Sequence, residues 1–468
     1  MDALEILSSP ITWAVTVGTL YIFYRYVTST FNYFSDQGIS GPKPMPFFGN
    51  MWGIWKSNLS EYDMSLVKKH GKVFGYYDGP QPNLWITDLE LIKAIFVKDF
   101  DHFVDRRTFN FKTKIVRKWL TVVKGKEWKD IRSSVTPAFT TGKIKRMSLL
   151  IKECVEILSI RISAVAQSEG KMNAKLIYGA FTMDVIARCA FGLKIDSLGN
   201  KDDPFIKNAQ FIFNPPTSKT PLILLPCSRW QNGADVVTRG DKRNCDRPVI
   251  NVVTFQKSTL FLLAGFDQTA TTLTNTCFQL ARNPDIQEKL HETILQKLED
   301  YVCHIFEDVC HEMVQDMPYL EQIIQEVLRF YPASLRTERM CTKDISYDHG
   351  GGRIHIKKGV LVTVPIYAVH HSEEYYPDPE TFDPERWNPE NKVKRNPYSF
   401  MAFGAGPRNC IGMRFAMEEL KFAITALVKQ FRFFPVEETP EKLRFDVGFQ
   451  PALQPMNAIL GIELRQPN

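Results

Sequence analysis

The period of the apolar positions changes along the chain, and the changes divide it. Near the N-terminus apolar side chains dominate residues 11–27, and counting back to Leu4 extends the stretch. From Ile11 to Val27 the interruptions are Thr12, Thr16, Gly18, Thr19 and Arg25. That is just enough length for one membrane span. Trp13 stands near one edge and Tyr21, Tyr24 and Tyr26 toward the other, as in an interfacial belt. Next comes Gly38-Ile39-Ser40-Gly41-Pro42-Lys43-Pro44-Met45-Pro46, whose alternating prolines predict a stiff extended connector. Short β-like pieces follow at 73–77 and 84–87. The spacing then predicts helices over 91–97, 144–166, 178–191, 257–281, 284–298 and 318–330. Strand character returns at 345–365, and 443–464 reads as hairpins. The expected organisation is a membrane anchor at 1–30, a proline-rich hinge at 31–50 and one body at 51–468. That body is mainly α with small β-sheets.

Composition narrows the partners. Of 468 residues, 44% are hydrophobic and 24% charged, which are globular values. Lys and Arg exceed Asp and Glu by 58 to 52, and no basic run is long enough to argue for nucleic acid. A cationic face toward an acidic protein or anionic lipid stays open. The nine cysteines are scattered without paired spacing, which reads as reduced thiols on the cytosolic side. Asp2 and Glu5 precede the apolar run, while Arg25 and Lys43 follow most of it. This favours a retained anchor over a cleaved signal, with the N-terminus outside and the body in the cytosol. Cys303-His304 and Cys310-His311 repeat at seven residues, but their spacing fits no zinc site.

The most specific chemistry lies at Phe403-Gly404-Ala405-Gly406-Pro407-Arg408-Asn409-Cys410-Ile411-Gly412. Two glycines let a tight loop pass close to a flat ligand, where a Cβ would collide. An apolar run follows Cys410 and continues as helix to about Lys429. A thiolate just before a helix start sits at the positive end of the dipole, which lowers its pKa and keeps it ionised as a ligand. The segment alone also fits a glycine-rich turn with a structural buried cysteine.

The segment resembles the haem-binding signature of the cytochrome P-450 family, F-G-x-G-x-R-x-C-x-G, at every fixed position. The resemblance implies haem b, with Cys410 as the iron ligand, Phe403 in the haem loop and Arg408 on a haem propionate. It extends in order along the chain. Trp128 and Arg132 match W-x-x-x-R, whose spacing puts both side chains on one helix face. Arg339, and more loosely Arg106, match further propionate-binding positions. Glu326-Val327-Leu328-Arg329 and Pro384-Glu385-Arg386-Trp387 resemble E-x-x-R and P-E-R-F, implying a buried structural network of Glu326, Arg329 and Arg386. The proline-rich stretch resembles the hinge of the membrane-bound members.

Helix 257–281 corresponds to the oxygen-activating helix, with Ala264, Gly265, Phe266, Asp267, Gln268 and Thr269 at its middle. An interior Gly costs about 1 kcal/mol against Ala, and a buried Asp also costs unless satisfied. The pair suggests a groove over the haem and a proton source, or a kink in an ordinary core helix. The family pattern is A-G-x-[DE]-T. Here Gln268 occupies the threonine position and Thr269 follows, turned about 100° around the helix. Family position also marks Phe266, Ala333, Ser334 and Ala452 as pocket candidates. Residues 200–257 are broken by prolines that include Pro215, Pro216, Pro221, Pro226 and Pro248, and are shorter than the family's roof-helix region. Either the chain departs from the family there or the gene reading is incomplete.

The implied reaction inserts one oxygen atom from O₂ into a lipophilic substrate: a steroid, a fatty acid or a xenobiotic. Electrons would come from NADPH through NADPH-cytochrome P-450 reductase at the endoplasmic reticulum membrane, with cytochrome b5 as a second donor. Two other readings stay open: a peroxide-rearranging isomerase that needs no reductase, and a catalytically weak haem or lipid-binding protein.

Overall fold

The computed structural model describes residues 10–107, 117–197, 199, 252–302, 309–445, 453, 455–456 and 458–466. Helix α1 (Pro10–Thr28) leads to α2 (Leu59–His70), strands β1 (Val73–Asp78) and β2 (Gln81–Ile86), and α3 (Leu89–Lys93). Helices α4 (Gly125–Val135) and α5 (Thr141–Ser168) follow, then β3 (Lys171–Asn173) and α6 (Ala174–Phe191). Next come α7 (Val252–Arg282), α8 (Pro284–Val302), α9 (His311–Gln315) and α10 (Pro318–Phe330). Strands β4 (Arg336–Met340), β5 (Ile345–His349), β6 (Gly352–Ile356) and β7 (Leu361–Pro365) precede α11 (Ile366–His370), α12 (Pro389–Lys394) and α13 (Met413–Gln430). The chain closes with β8 (Phe431–Phe434), β9 (Arg444–Phe445), β10 (Pro455–Met456) and β11 (Ile459–Leu464).

The predicted helices are present. Helix 91–97 is the exception in form: α3 stops at Lys93, and Ala94–Lys98 continues as a wider π-type turn. The strand signals become a four-stranded sheet ordered β1-β2-β7-β4 and smaller two- and three-stranded sheets. Local chemistry sets the ends. Asn58 and Asn173 cap α2 and α6 by accepting from Ser60 N and Leu176 N. Pro318 starts α10, where a missing N–H costs nothing. Gly192, at φ 65°, ends α6.

The core lies between α5, α6, α7, α8, α10 and α13, where Leu158, Phe181, Leu273, Phe278, Leu320 and Leu427 are almost fully buried. Helices α6 and α7 pack antiparallel. Gly265 faces Ile186, and a Cβ there would sit 2.7 Å from Ile186 Cδ1. Thr182 Oγ1 donates to Phe266 O at 2.9 Å, and Lys175 Nζ donates to Asp267 Oδ1 at 2.6 Å.

The E-x-x-R expectation is met. Arg329 Nε and Nη2 both donate to the Glu326 carboxylate at 2.8 Å, and neither residue is exposed. Trp387 Nε1 and Asp383 N also donate to it, at 2.9 and 3.0 Å. Arg386 Nε lies 3.4 Å away.

Asp184 of α6 holds the following turn by accepting from Ser197 N at 3.0 Å. Burial raises its pKa to about 6. The folded chain therefore keeps a proton that an unfolded Asp loses near pH 4. This group's stabilising contribution is complete below about pH 4 and is lost as pH rises through 6. At most about 3 kcal/mol is involved. Asp184→Asn should flatten the pH dependence of the urea-unfolding midpoint between pH 4 and 6.

Other expectations meet the structure differently. Among the described residues no helix is long and apolar enough to cross a membrane. Helix α1 spans 19 residues, diluted by Thr12, Thr16, Gly18 and Thr19, and positions 1–9 lie outside the described residues. Cys303, His304, Ala452 and positions 200–251 also lie outside them. His311 Nδ1 lies 2.5 Å from Glu418 Oε1. The described residues contain no metal-holding cluster of three or more His, Cys, Asp or Glu. The described cysteines are free thiols.

Candidate haem site

The loop before α13 is built by its own backbone. Cys410 N donates to Phe403 O at 2.8 Å, Gly404 N to Met401 O at 2.8 Å and Asn409 N to Gly406 O at 3.0 Å. Gly404 and Gly406 have φ of 72° and 70°, the left-handed region open to glycine. The close approach at Gly406 is to protein: a Cβ there would strike the carbonyl of Phe96. The expected clearance for a flat ligand is thus, at this position, clearance for the chain crossing behind the loop.

Four arginines converge on this loop. Arg132 Nη1 and Nη2 donate to Asn409 O and Oδ1, each at 3.0 Å. Arg106 Nη2 donates to Arg408 O at 3.0 Å. Arg339 Nη2 donates to Ala405 O at 3.3 Å, and its guanidinium lies 4.5 Å from the Phe96 ring centre. Arg408 donates to Val123 O and sits 4.7 Å from the buried ring of Trp128. Trp128 therefore acts as a stacking face for Arg408.

These cations are short of counter-charge. Arg339 is held well below the usual guanidinium pKa by burial and by Arg106 and Arg408. Burial, with Arg106 and Arg132 nearby, pushes Arg408 down to about 9 despite Asp105. Arg106 Nε, Arg339 Nε, and Arg408 Nε and Nη1 are buried without a hydrogen-bond partner. The nearby carboxylate of Glu338 is already taken by Arg107 at 2.9 and 3.0 Å. Buried, unpaired guanidinium groups are costly, so the cradle fits a ligand that brings acidic groups. The two propionates of haem b have that chemistry.

Cys410 keeps an exposed face, and the protein packed around it desolvates its sulfur. Burial raises its thiol, opposed by the Gly412 and Met413 backbone N–H groups and by Arg132 and Arg106. The sequence expectation of a lowered pKa is corrected in balance. The helix-start donors act in the expected direction, but desolvation outweighs them.

His370 joins the supporting network to the loop. Fully buried, it accepts from Met401 N through Nε2 at 2.9 Å, and its Nδ1 lies 3.1 Å from Arg329 O. Burial and the neighbouring His371 and Arg329 hold its pKa well below the ordinary value. It is neutral, with Nδ1 as the donor. Only its proximity to E-x-x-R in the fold reveals this, and a His-His pair at 370–371 carries no such signal.

On α7, Gln268 is exposed and Thr269 is buried, so the two do face differently. Gly265 and Asp267, the residues that looked costly, both have local partners in Ile186 and Lys175. The backbone at Ala264 belongs to the same helix.

The family profile described as Cytochrome P450 matches residues 39–232 and 253–459. This chain is a cytochrome P450. It is 34% identical to cytochrome P450 3A41 of Mus musculus over 494 residues, covering 96% of this chain and 95% of the relative. Cytochrome P450 3A2 of Rattus norvegicus is 34% identical, with 98% and 97% covered. Lithocholate 6-beta-hydroxylase of Mesocricetus auratus is 34% identical, with 96% and 95% covered. These alignments are longer than the chain, so the relatives carry residues it lacks. The profile match breaks at 232–253, inside the stretch that is short for the family. A cytochrome P450 is a haem b enzyme of the monooxygenase class, and the mainly helical fold with small sheets is the one this family adopts.

Proposed function

We propose that this cytochrome P450 oxidises a lipophilic small molecule, a steroid, fatty acid or xenobiotic, with Cys410 as the iron ligand and 51–468 as one catalytic domain. The carrying observation is the ring of underpaired arginines around the cysteine loop. Arg106, Arg339 and Arg408 carry the unpartnered donors; with Arg132 fixed on Asn409, Trp128 stacked beneath Arg408 and Phe403 O accepting from Cys410 N, they would hold the group's acidic edge and its thiolate ligand. Haem b supplies dioxygen activation when bound; the protein supplies ligand, protons and pocket. Turnover of a lipophilic substrate panel with NADPH and reductase tests the reading. Failure of all turnover in haem-loaded protein would leave the weak binding-protein alternative.

We assign Ala264, Gly265, Asp267, Gln268 and Thr269 to the distal wall. A threonine hydroxyl can both accept and donate, whereas a glutamine amide hydrogen-bonds without relaying a proton. Gln268 should therefore make proton delivery inefficient, and Gln268→Thr should raise product formed per NADPH by several-fold. An unchanged ratio would assign the relay to Thr269 or water, which Thr269→Val would then expose. The same glutamine favours the second reading, a peroxide-rearranging isomerase. Conversion of a peroxide substrate without reductase, and no product with it, would establish that reading instead.

The electron donor is proposed to be NADPH-cytochrome P-450 reductase, with cytochrome b5 as a second donor. Lys124, Lys126, Lys129 and Arg414 are exposed on the elements that flank the cysteine loop. Arg132, expected on that face, instead turns its guanidinium onto Asn409. Exposed charges are screened beyond roughly 8 Å at physiological salt. Reductase-driven reduction should slow on the order of tenfold as salt rises to 0.5 M, a value chosen to exceed physiological screening. Salt-independent reduction would remove this face from consideration.

The membrane assignment, at the endoplasmic reticulum with the body cytosolic, is carried by α1. Trp13, Val15, Val17, Leu20, Ile22 and Tyr26 are all more than half exposed. Thr16, Thr19 and Thr28 turn their hydroxyls back onto Thr12 O, Val15 O and Tyr24 O at 2.8 Å, which lowers the cost of lipid around them.

A further inference from the structure

We propose that His311 and Gln315 of α9 are positioning residues for the haem loop: they grip Glu418 of α13, with a hold that tightens when His311 carries a proton. The proposal rests on the reading of Cys410 as the iron ligand, because α13 is the helix that begins just after that cysteine.

Helix α9 is a single short turn, far too short to be stable alone, so its neighbours fix its place. One face, Met313 and Val314 with Met317 beyond, is buried in the main core. The other carries His311 and Gln315, one helical turn apart. Both reach the same carboxylate. His311 Nδ1 lies 2.5 Å from Glu418 Oε1, and Gln315 Nε2 donates to Glu418 Oε2 at 2.6 Å. Lys421, one turn along α13, donates to Gln315 Oε1 at 3.4 Å and to Glu321 Oε2 of α10 at 3.0 Å. It orients the amide while Glu321 meets its charge. Glu418 stands in the second turn of α13, so a pull on its carboxylate is a pull on the helix that follows the cysteine loop.

The Glu418 side chain is only 2% exposed. A buried carboxylate needs a proton or a cation beside it. Burial raises its pKa, opposed by the hydrogen bond and charge of His311 and by Lys421. A protonated His311 makes the contact charge-assisted at both ends, roughly twice as strong as a neutral hydrogen bond. A neutral imidazole still donates through Nδ1, but the buried charge is then left to Gln315 and Lys421. The raised Glu418 pKa has the same sign: the folded chain keeps a proton that an unfolded carboxyl gives up. The hold is therefore complete on the acid side and is lost as pH rises.

The other charges around the contact are committed elsewhere. Glu312 pairs with Lys145 of α5, and Asp316 with Lys297 of α8 at 2.7 Å. These hydrogen bonds hold both lysines above their ordinary pKa and Glu312 below its own, so all three keep their charge across the histidine range. Tyr301 of α8 reaches the same Asp316 at 3.5 Å, and the Cys310 thiol makes no capping bond at the start of α9.

The test uses the haem-loaded full chain, with apomyoglobin as the haem acceptor. Transfer rates are compared at about pH 6 and about pH 8, inside the range where a histidine changes charge. His311→Gln should release haem about fivefold faster than wild type at the lower pH, the difference between a charge-assisted and a neutral hydrogen bond. At the higher pH the two rates should nearly coincide. Taking the ratio at each pH removes the pH dependence that both proteins share. His311→Lys, charged throughout, should release haem slowly at both pH values. Glu418→Gln probes the same contact from α13 and should likewise differ from wild type more at the lower pH. An equal ratio at both pH values would make His311 a purely structural residue and overturn the proposal. A ratio of one at both would detach α9 from the haem loop and overturn it as well. Either result leaves Cys410 as the iron ligand. Wild-type protein without thiolate-type absorption after reduction and carbon monoxide would sink that reading, and this proposal with it.

Discussion

Cys410→Ser is expected to abolish the thiolate-type absorption of the reduced, carbon-monoxide-treated protein while the polypeptide still folds. The first half follows from ligand chemistry. A serine hydroxyl does not ionise near neutral pH, so the soft anionic ligand is lost. The second half follows from how the loop is held. Its shape depends on Cys410 N donating to Phe403 O, on Arg132 reaching Asn409 and on Arg106 reaching Arg408 O. None of these uses the sulfur. Far-UV circular dichroism should therefore match the wild type while the spectrum changes completely. A retained thiolate-type spectrum would move the ligand to another cysteine. Cys154, Cys277 and Cys341 are buried, and burial pushes Cys154 and Cys277 up to about 12 and Cys341 to about 11. Burial raises Cys410 as well, but Cys410 keeps an exposed face and the helix-start N–H groups, Arg132 and Arg106 oppose the shift there, so the others are poorer candidates.

The sequence made the site legible where chemistry is written in local spacing. Six fixed positions around Cys410 needed no fold to be recognised, and Glu326 and Arg329 lie one helical turn apart. What it could not show were partners set by tertiary contact. That Gly406 yields to the Phe96 carbonyl depends on a chain segment 310 positions away. That Asp267 meets Lys175 depends on the packing of α6 on α7, and it turns an apparent functional oddity into a satisfied ion pair. The cysteine's balance was misjudged for the same reason: dipole and charges are visible in order of sequence, while desolvation is a property of the assembled shell. Periodicity located the long helices well, yet α2 and α4 were not delimited, because short amphipathic segments carry few repeats of the pattern.

The second large effect is expected at Arg329, far from any reacting atom. Its guanidinium holds the Glu326 carboxylate in two hydrogen bonds and spends its remaining donors on His370 O, Pro379 O and Thr381 O. Arg329→Leu leaves Glu326 buried with only Trp387, Asp383 and Arg386 to hold it. Removing one partner of a buried pair costs about 3–5 kcal/mol, most of it the penalty of the charge left behind. His370 should carry the damage to the haem loop. Arg329→Leu keeps the backbone carbonyl that His370 Nδ1 meets but removes the guanidinium bond to His370 O, so the ring that accepts from Met401 N is held less firmly. Haem content should therefore fall more steeply than the helical signal as urea is added. The control is Glu326→Gln in the same background. It removes the stranded charge, and the melting temperature should recover in part while haem retention stays low, because the tether through His370 is not rebuilt. Full recovery of both would reduce the network to simple charge neutralisation. Recovery of neither would mean that the hydrogen bonds to the segment at 370–383, and not the pair itself, set the stability of this side of the protein.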